Sequence, residues 1–274
     1  MKILIVDRDD ITAQMIKSRL EPIGHKLFQE PVKNNAVDRM ASEQFDMIFL
    51  DPMPLTSARP LILNIRRATA RYPYIVQIGT EGTLVDAIKS GANQFLAKPV
   101  DPDKLDSIID NAKYLTTLTR RIGDDSEDYP SAGGIIAKSA FNQLFLSALD
   151  RADRYGERTY IVFIRVTNYA EIYEKEGPYA ADYAVAKLSQ FLVRLRRQSD
   201  IIAQTDNCEY ALLLQRPLYE TEPNEAANRF AEAIAGYDDF YTVGNVAPEV
   251  RVSLIDLPVG SRIIEHHMEK KEEE

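Results

Sequence analysis

Short β-branched runs alternate with helically spaced apolar residues five times in the first 121 positions. That alternation constrains the fold more than any other feature. The runs fall at 3–6, 26–29, 47–50, 74–78 and 94–97. Between them, Ile11, Met15, Ile16 and Leu20 share one helical face, as do Ala36, Val37, Met40 and Ala41. Leu61, Ile65 and Ala68 follow, then Leu84, Ala87 and Ile88, and finally Leu105, Ile108, Ile109 and Ala112. Five strand–helix units in a row predict a doubly wound α/β domain, a parallel sheet with helices on both faces. Ligands of such sheets sit beyond the carboxyl ends of the strands.

The residues at those ends are polar. The first strand runs into Asp7-Arg8-Asp9-Asp10, the third into Asp51, the fourth into Gly79-Thr80 and the fifth into Lys98-Pro99. Two acids, a hydroxyl and a lysine on one edge suit phosphoryl chemistry. One carboxylate can take the phosphoryl group while another holds a divalent cation, and the lysine and hydroxyl bind phosphate oxygens. At these residues the chain resembles the receiver domain of bacterial response regulators, a (βα)5 flavodoxin-like fold. The resemblance implies Asp51 as phosphoacceptor, Asp7 with Asp51 as the Mg²⁺ site, Thr80 as switch hydroxyl, Lys98 as phosphate-binding lysine and Phe95 as switch aromatic. It also implies a sensor histidine kinase or phosphotransfer protein as partner. Three departures stand out. The loop after Asp51 reads Pro52-Met53-Pro54, which puts a proline one residue early. Arg8 replaces the usual second acid after the first strand, and a cation there opposes Mg²⁺. The segment between Thr80 and Gly91 is short, which leaves Gly79 as another occupant of the switch position.

The chain has 274 residues, which at roughly 150 per domain predicts two domains. The polar stretch at 122–133 reads as a linker between a receiver at 1–121 and a second domain at 134–274. A net charge of −9 argues against DNA as a partner. No apolar run approaches the ~20 residues of a membrane span, so no membrane insertion is expected. Cys208 is the only cysteine, which excludes an intramolecular disulfide and fits a reducing, cytoplasmic setting.

The second half reads helix (138–155), strand (160–166), helix (180–197), strands at 201–204 and 209–214, helix (222–235) and strand (249–254). That order predicts an α+β domain with a mainly antiparallel sheet. A further helix is expected at 261–270. Thr205-Asp206-Asn207-Cys208 is a hairpin turn by composition. The order and the hairpin resemble the GGDEF domain of diguanylate cyclases, a nucleotidyl-cyclase-like fold. Its five signature positions here are Asp206, Asn207, Cys208, Glu209 and Tyr210, of which only Glu209 is unchanged. Ala132-Gly133-Gly134-Ile135 sits where the family has its domain-opening motif.

Such a cyclase joins two GTP molecules with metal ions held by carboxylates. Here Arg165 ends the strand where the first carboxylate belongs, Cys208 replaces the central acid, and Asp206 and Asn207 replace two glycines. The expectation is a degenerate domain with no catalytic residues. One family feature survives. Arg197-Gln198-Ser199-Asp200 is an RxxD sequence at the spacing of the family's inhibitory site, which implies cyclic di-GMP as ligand through Arg197 and Asp200. An arginine suits phosphate or guanine, and a carboxylate suits the guanine N–H groups. The competing expectation is an adaptor that binds no nucleotide, in which Arg197 belongs to a basic helix end and pairs with Asp200. An unidentified downstream protein and a homodimer complete the expected partners.

Overall fold

Strand order defines both halves of the chain. The structure is a computed structural model that describes residues 1–69, 72–124, 128–129, 133–237, 246–257, 259–260 and 262–267. Much of the expected linker, Ala132 of the opening motif and the tail from 268 onward lie outside the described residues. Backbone contacts divide the chain into two compact units, the first chiefly Met1–Arg120 and the second beginning at Arg121.

In the first unit, β1 (Lys2–Val6), β2 (Lys26–Gln29), β3 (Met47–Leu50), β4 (Tyr74–Gly79) and β5 (Gln94–Ala97) form one sheet in the order β2-β1-β3-β4-β5. Every pairing is parallel. The helices are α1 (Asp10–Leu20), α2 (Lys33–Ser42), α3 (Arg59–Ala68), α4 (Leu84–Lys89) and α5 (Pro102–Ile122), whose last two residues fall in the second unit. Leu4, Val6, Ile48 and Leu50 pack with Ala36, Met40, Leu61, Ile62 and Ile65 of α2 and α3. The alternate residues Ile3, Ile5, Met47 and Phe49 are just as buried, so both faces of the sheet are covered. An Arg19–Asp106 ion pair at 2.5 Å ties α1 to α5.

The second unit contains α6 (Lys138–Tyr155), β6 (Thr159–Val166), α7 (Tyr169–Glu176), α8 (Pro178–Leu195), β7 (Ile201–Asp206), β8 (Glu209–Leu214), α9 (Glu222–Ala235), β9 (Val250–Leu257) and β10 (Arg262–His267). Its sheet runs β10-β9-β6-β8-β7, antiparallel throughout. One face carries Val162, Ile164, Leu212, Tyr210 and Val252 against Leu188 and Leu192 of α8 and Phe230 and Ile234 of α9.

Three sequence expectations change. Residues 262–267 form an edge strand along β9 rather than part of a helix. Helix α7 was not expected: it is short and polar, with only Ile172 buried. It ends at Gly177, whose φ of 88° lets the chain turn into α8 at Pro178. The hairpin turn is narrower than expected, because β7 reaches Asp206 and leaves only Asn207-Cys208 between the strands.

Candidate functional site

In the first unit the parallel register carries Asp7 and Asp51 to neighbouring positions, since Val6 pairs with Leu50 one residue before each. Both are buried. Lys98 follows β5 directly. Its ammonium forms an ion pair with Asp7 Oδ2 at 2.7 Å and donates to Asp51 Oδ2 at 2.5 Å. Burial opposes the Lys98 charge, but the bonds to Asp51 and Asp7 outweigh it and raise its pKa. The Met53 backbone N–H donates to Asp51 Oδ1 at 2.8 Å, which fixes the loop after β3. Three of the predicted residues therefore meet.

Thr80 lies one residue beyond β4 and is exposed, while Gly79 ends the strand buried. Phe95 is half-buried beside Gly82, at a position where a Cβ would come within 3.1 Å of the ring. Arg8 is exposed, and Asp9 caps α1 through Ile11 N and Thr12 Oγ1, so its carboxylate is already engaged. Sequence reasoning missed Lys33, the first residue of α2. Its ammonium donates to the Met53 carbonyl.

In the second unit the hairpin presents the signature positions. Asp206 pairs with Glu209 across the strands, and Arg165 stands beside Glu209 on β6. The Arg165 guanidinium lies 3.3 Å from Asp206 Oδ2 and 3.5 Å from Glu209 Oε2. Thr205 Oγ1 donates to the buried Glu209 at 2.8 Å, and Arg121, with which this unit begins, reaches it at 2.8 Å. Among the described residues Arg216 is the only non-glycine with a positive φ, so Asp206 and Asn207 stand in place of glycines without left-handed backbone. Their side chains instead occupy the turn, with Asn207 N–H donating to Asp206 Oδ1 at 2.8 Å. Burial pushes the Cys208 thiol pKa up while Arg165 pulls it down, the burial effect being the larger. Tyr210 is buried, and its hydroxyl donates to the Val185 carbonyl at 3.3 Å.

The RxxD residues line a cleft with Leu214, Pro223, Ala226 and Arg229. Asp200 is buried. Its carboxylate accepts the Arg197 backbone N–H at 3.0 Å, and its carbonyl accepts Arg196 Nη1 at 2.7 Å. The Arg197 guanidinium goes to Glu222 Oε1 at 2.5 Å rather than to the Asp200 carboxylate. Glu222 also accepts the Leu218 N–H; that bond first, then Arg197, lowers its pKa. Arg229, on α9, brings a third group that sequence reasoning missed. Its Nε and Nη2 are buried and have no hydrogen-bond partner. Nothing local signals it, because it stands 32 residues beyond Arg197.

The family model described as "Response regulator receiver domain" matches residues 3–110. That described as "Diguanylate cyclase, GGDEF domain" matches 130–255. The chain carries a receiver domain followed by a GGDEF domain. The receiver half is 27% identical over 112 residues to the transcriptional regulatory protein CrdR of Helicobacter pylori, covering 39% of this chain and 53% of that protein. A second relative is the sensory/regulatory protein RpfC of Xanthomonas campestris pv. campestris, 27% identical over 172 residues, 59% of this chain and 23% of that protein. The chain thus spans about half or less of these relatives. Among solved structures, a two-component response regulator from Clostridium difficile is 26% identical, with a TM-score of 0.38, covering 41% of this chain and 95% of that one. The GGDEF domain of YfiN (TpbB) from Pseudomonas aeruginosa is 19% identical, with a TM-score of 0.39, covering 44% and 74%. The strand orders, not these scores, define the two folds. Among the described residues no helix is long and apolar enough to cross a membrane.

Neither implied metal set fits its residues well. Among the described residues no three His, Cys, Asp or Glu side chains come together as metal ligands. In the GGDEF domain, Arg165 pairs with both Asp206 and Glu209. In the receiver domain, Lys98 bridges Asp7 and Asp51.

Proposed function

We propose that this chain is a response regulator whose GGDEF domain binds cyclic di-GMP and does not make it. The observation that carries the reading is the cleft with Arg197, Asp200 and Arg229. It joins a buried carboxylate to a guanidinium whose inner donors lack acceptors. A ligand with phosphates and guanine edges answers both: phosphate takes the Arg229 donors, and Asp200 or Arg197 takes guanine. Among familiar nucleotides cyclic di-GMP offers these groups twice.

The case against catalysis rests on charge. Metal-assisted phosphoryl transfer needs carboxylates free to hold cations that neutralise the reacting phosphates. At this turn a guanidinium holds the remaining acids and a thiol replaces the central one. GTP incubated with the intact chain and Mg²⁺ or Mn²⁺ is expected to yield neither cyclic di-GMP nor pyrophosphate by chromatography. Turnover above a protein-free control would sink this part of the reading.

A second reading, a protein-interaction adaptor that binds no nucleotide, draws on the Arg197–Glu222 pair, which already satisfies that cation. The Arg197 side chain is 52% exposed, and exposed pairs contribute roughly 0.2–1 kcal/mol. Breaking the pair is therefore a small cost to a charged ligand. Glu222→Gln removes the competing charge and is expected to tighten cyclic di-GMP binding by about two- to fivefold in a calorimetric titration. Unchanged affinity would favour the adaptor.

A receiver domain implies a phosphodonor partner, such as a histidine kinase or phosphotransfer protein, with Asp51 as the carboxylate it modifies. The domain's state would then bias the output domain or its pairing with a second copy.

A further inference from the structure

Three oxygen donors belong to the phosphoacceptor end of the receiver sheet. They are the carboxylates of Asp7 and Asp51 and the Met53 carbonyl, on the loop whose N–H is bonded to Asp51. Hard divalent cations take oxygen ligands of this kind. Here protein ammonium groups hold all three. Lys98 takes both carboxylates, and Lys33 donates to the Met53 carbonyl.

The position of Lys33 is unfavourable on local grounds. It opens α2, where the helix dipole is positive, and no acid in the first turn offsets it. Val32 provides no side-chain cap. A cation at a helix N-terminus is disfavoured by about 0.3–1 kcal/mol. Burial, then the nearby Arg8, lowers the Lys33 pKa, while Asp51 and Asp7 pull it back up. A half-buried ammonium held against a dipole and a neighbouring arginine needs opposing charge, and the two pocket carboxylates provide it.

We propose that the Lys33 ammonium is a tethered substitute for a divalent cation, so that the receiver pocket presents Lys33 and Lys98 to a phosphate-like anion without Mg²⁺. Lys33 reaches the oxygens from α2, and Arg8 adds positive charge where the usual second acid would favour a metal. The arrangement parallels the GGDEF turn, where Arg165 sits among the acids.

The test is a titration of Mg²⁺ alone into the intact chain, read by calorimetry and by amide shifts around Asp7 and Asp51. Wild type is expected to show no saturable binding through the millimolar range. Lys33→Ala combined with Arg8→Asp is expected to gain millimolar binding, tighter than wild type by about tenfold or more. An unchanged amide spectrum away from the pocket establishes that this variant is folded. Saturable Mg²⁺ binding by wild type, or none by the folded double variant, would overturn the proposal.

Discussion

Replacing Arg229 by alanine is expected to weaken cyclic di-GMP binding by the intact chain about ten- to hundredfold and to leave the GGDEF domain folded. The magnitude follows from charge-assisted hydrogen bonds to phosphate, about 1.5–3 kcal/mol each. The specificity follows from the native state. The inner donors of Arg229 have no acceptor, so truncation removes no protein hydrogen bond from them. Arg197→Ala should lose a comparable amount. Asp200→Ala differs, because its buried carboxylate also holds the Arg197 N–H. Leaving that donor unpaired costs stability of about 1–3 kcal/mol, so Asp200→Asn is the better probe of binding alone. Calorimetric titration beside a thermal unfolding scan separates the two effects. An Arg229→Ala protein that binds as tightly as wild type would remove the cleft from the account.

Glu209→Ala is expected to destabilise the GGDEF domain by about 2–4 kcal/mol. Glu209 is buried and accepts from Thr205, and it faces Arg165 and Arg121. Removing one partner of a buried charge network leaves the others uncompensated, which costs more than the net worth of the pair. The half-exposed Arg165 retains some water, which keeps the effect below the full cost of a dry pair. Glu209→Gln preserves the acceptor for the Thr205 hydroxyl and should lose about half as much. Calorimetric scans of the intact chain read the loss. Equal losses for Gln and Ala would show that charge alone matters at this position. The unchanged signature glutamate is on this view a structural residue of the turn.

The parallel sheet was legible because β1, β3 and β4 at its centre are buried on both faces and read as apolar runs. The meeting of Asp7, Asp51 and Lys98 was legible for the same reason: once Val6, Leu50 and Ala97 are strand ends, the three residues that follow must share an edge. Lys33 was not legible. It opens a helix, and only the loop after β3 brings it the Met53 carbonyl. Arg229 was hidden likewise, since its link to Asp200 arises from packing of α9 on the sheet rather than from sequence spacing. At 262–267 a strand stands where a helix was expected: pairing along β9, a partner that local sequence spacing does not reveal, makes β10 the edge of its sheet. The helix before the RxxD sequence ends at Leu195 rather than 197, and Arg197 pairs with Glu222, 25 residues further on, rather than with the Asp200 side chain.

On the proposed reading, the GGDEF domain is a receptor built on a cyclase fold. Calorimetric titration of cyclic di-GMP into the intact chain, with GTP as the control ligand, tests it most directly. Saturable binding of cyclic di-GMP at micromolar or tighter affinity is expected, weakened about ten- to hundredfold in Arg197→Ala, with no comparable binding of GTP. Absence of cyclic di-GMP binding by a folded wild-type protein would contradict it and leave the adaptor reading in its place.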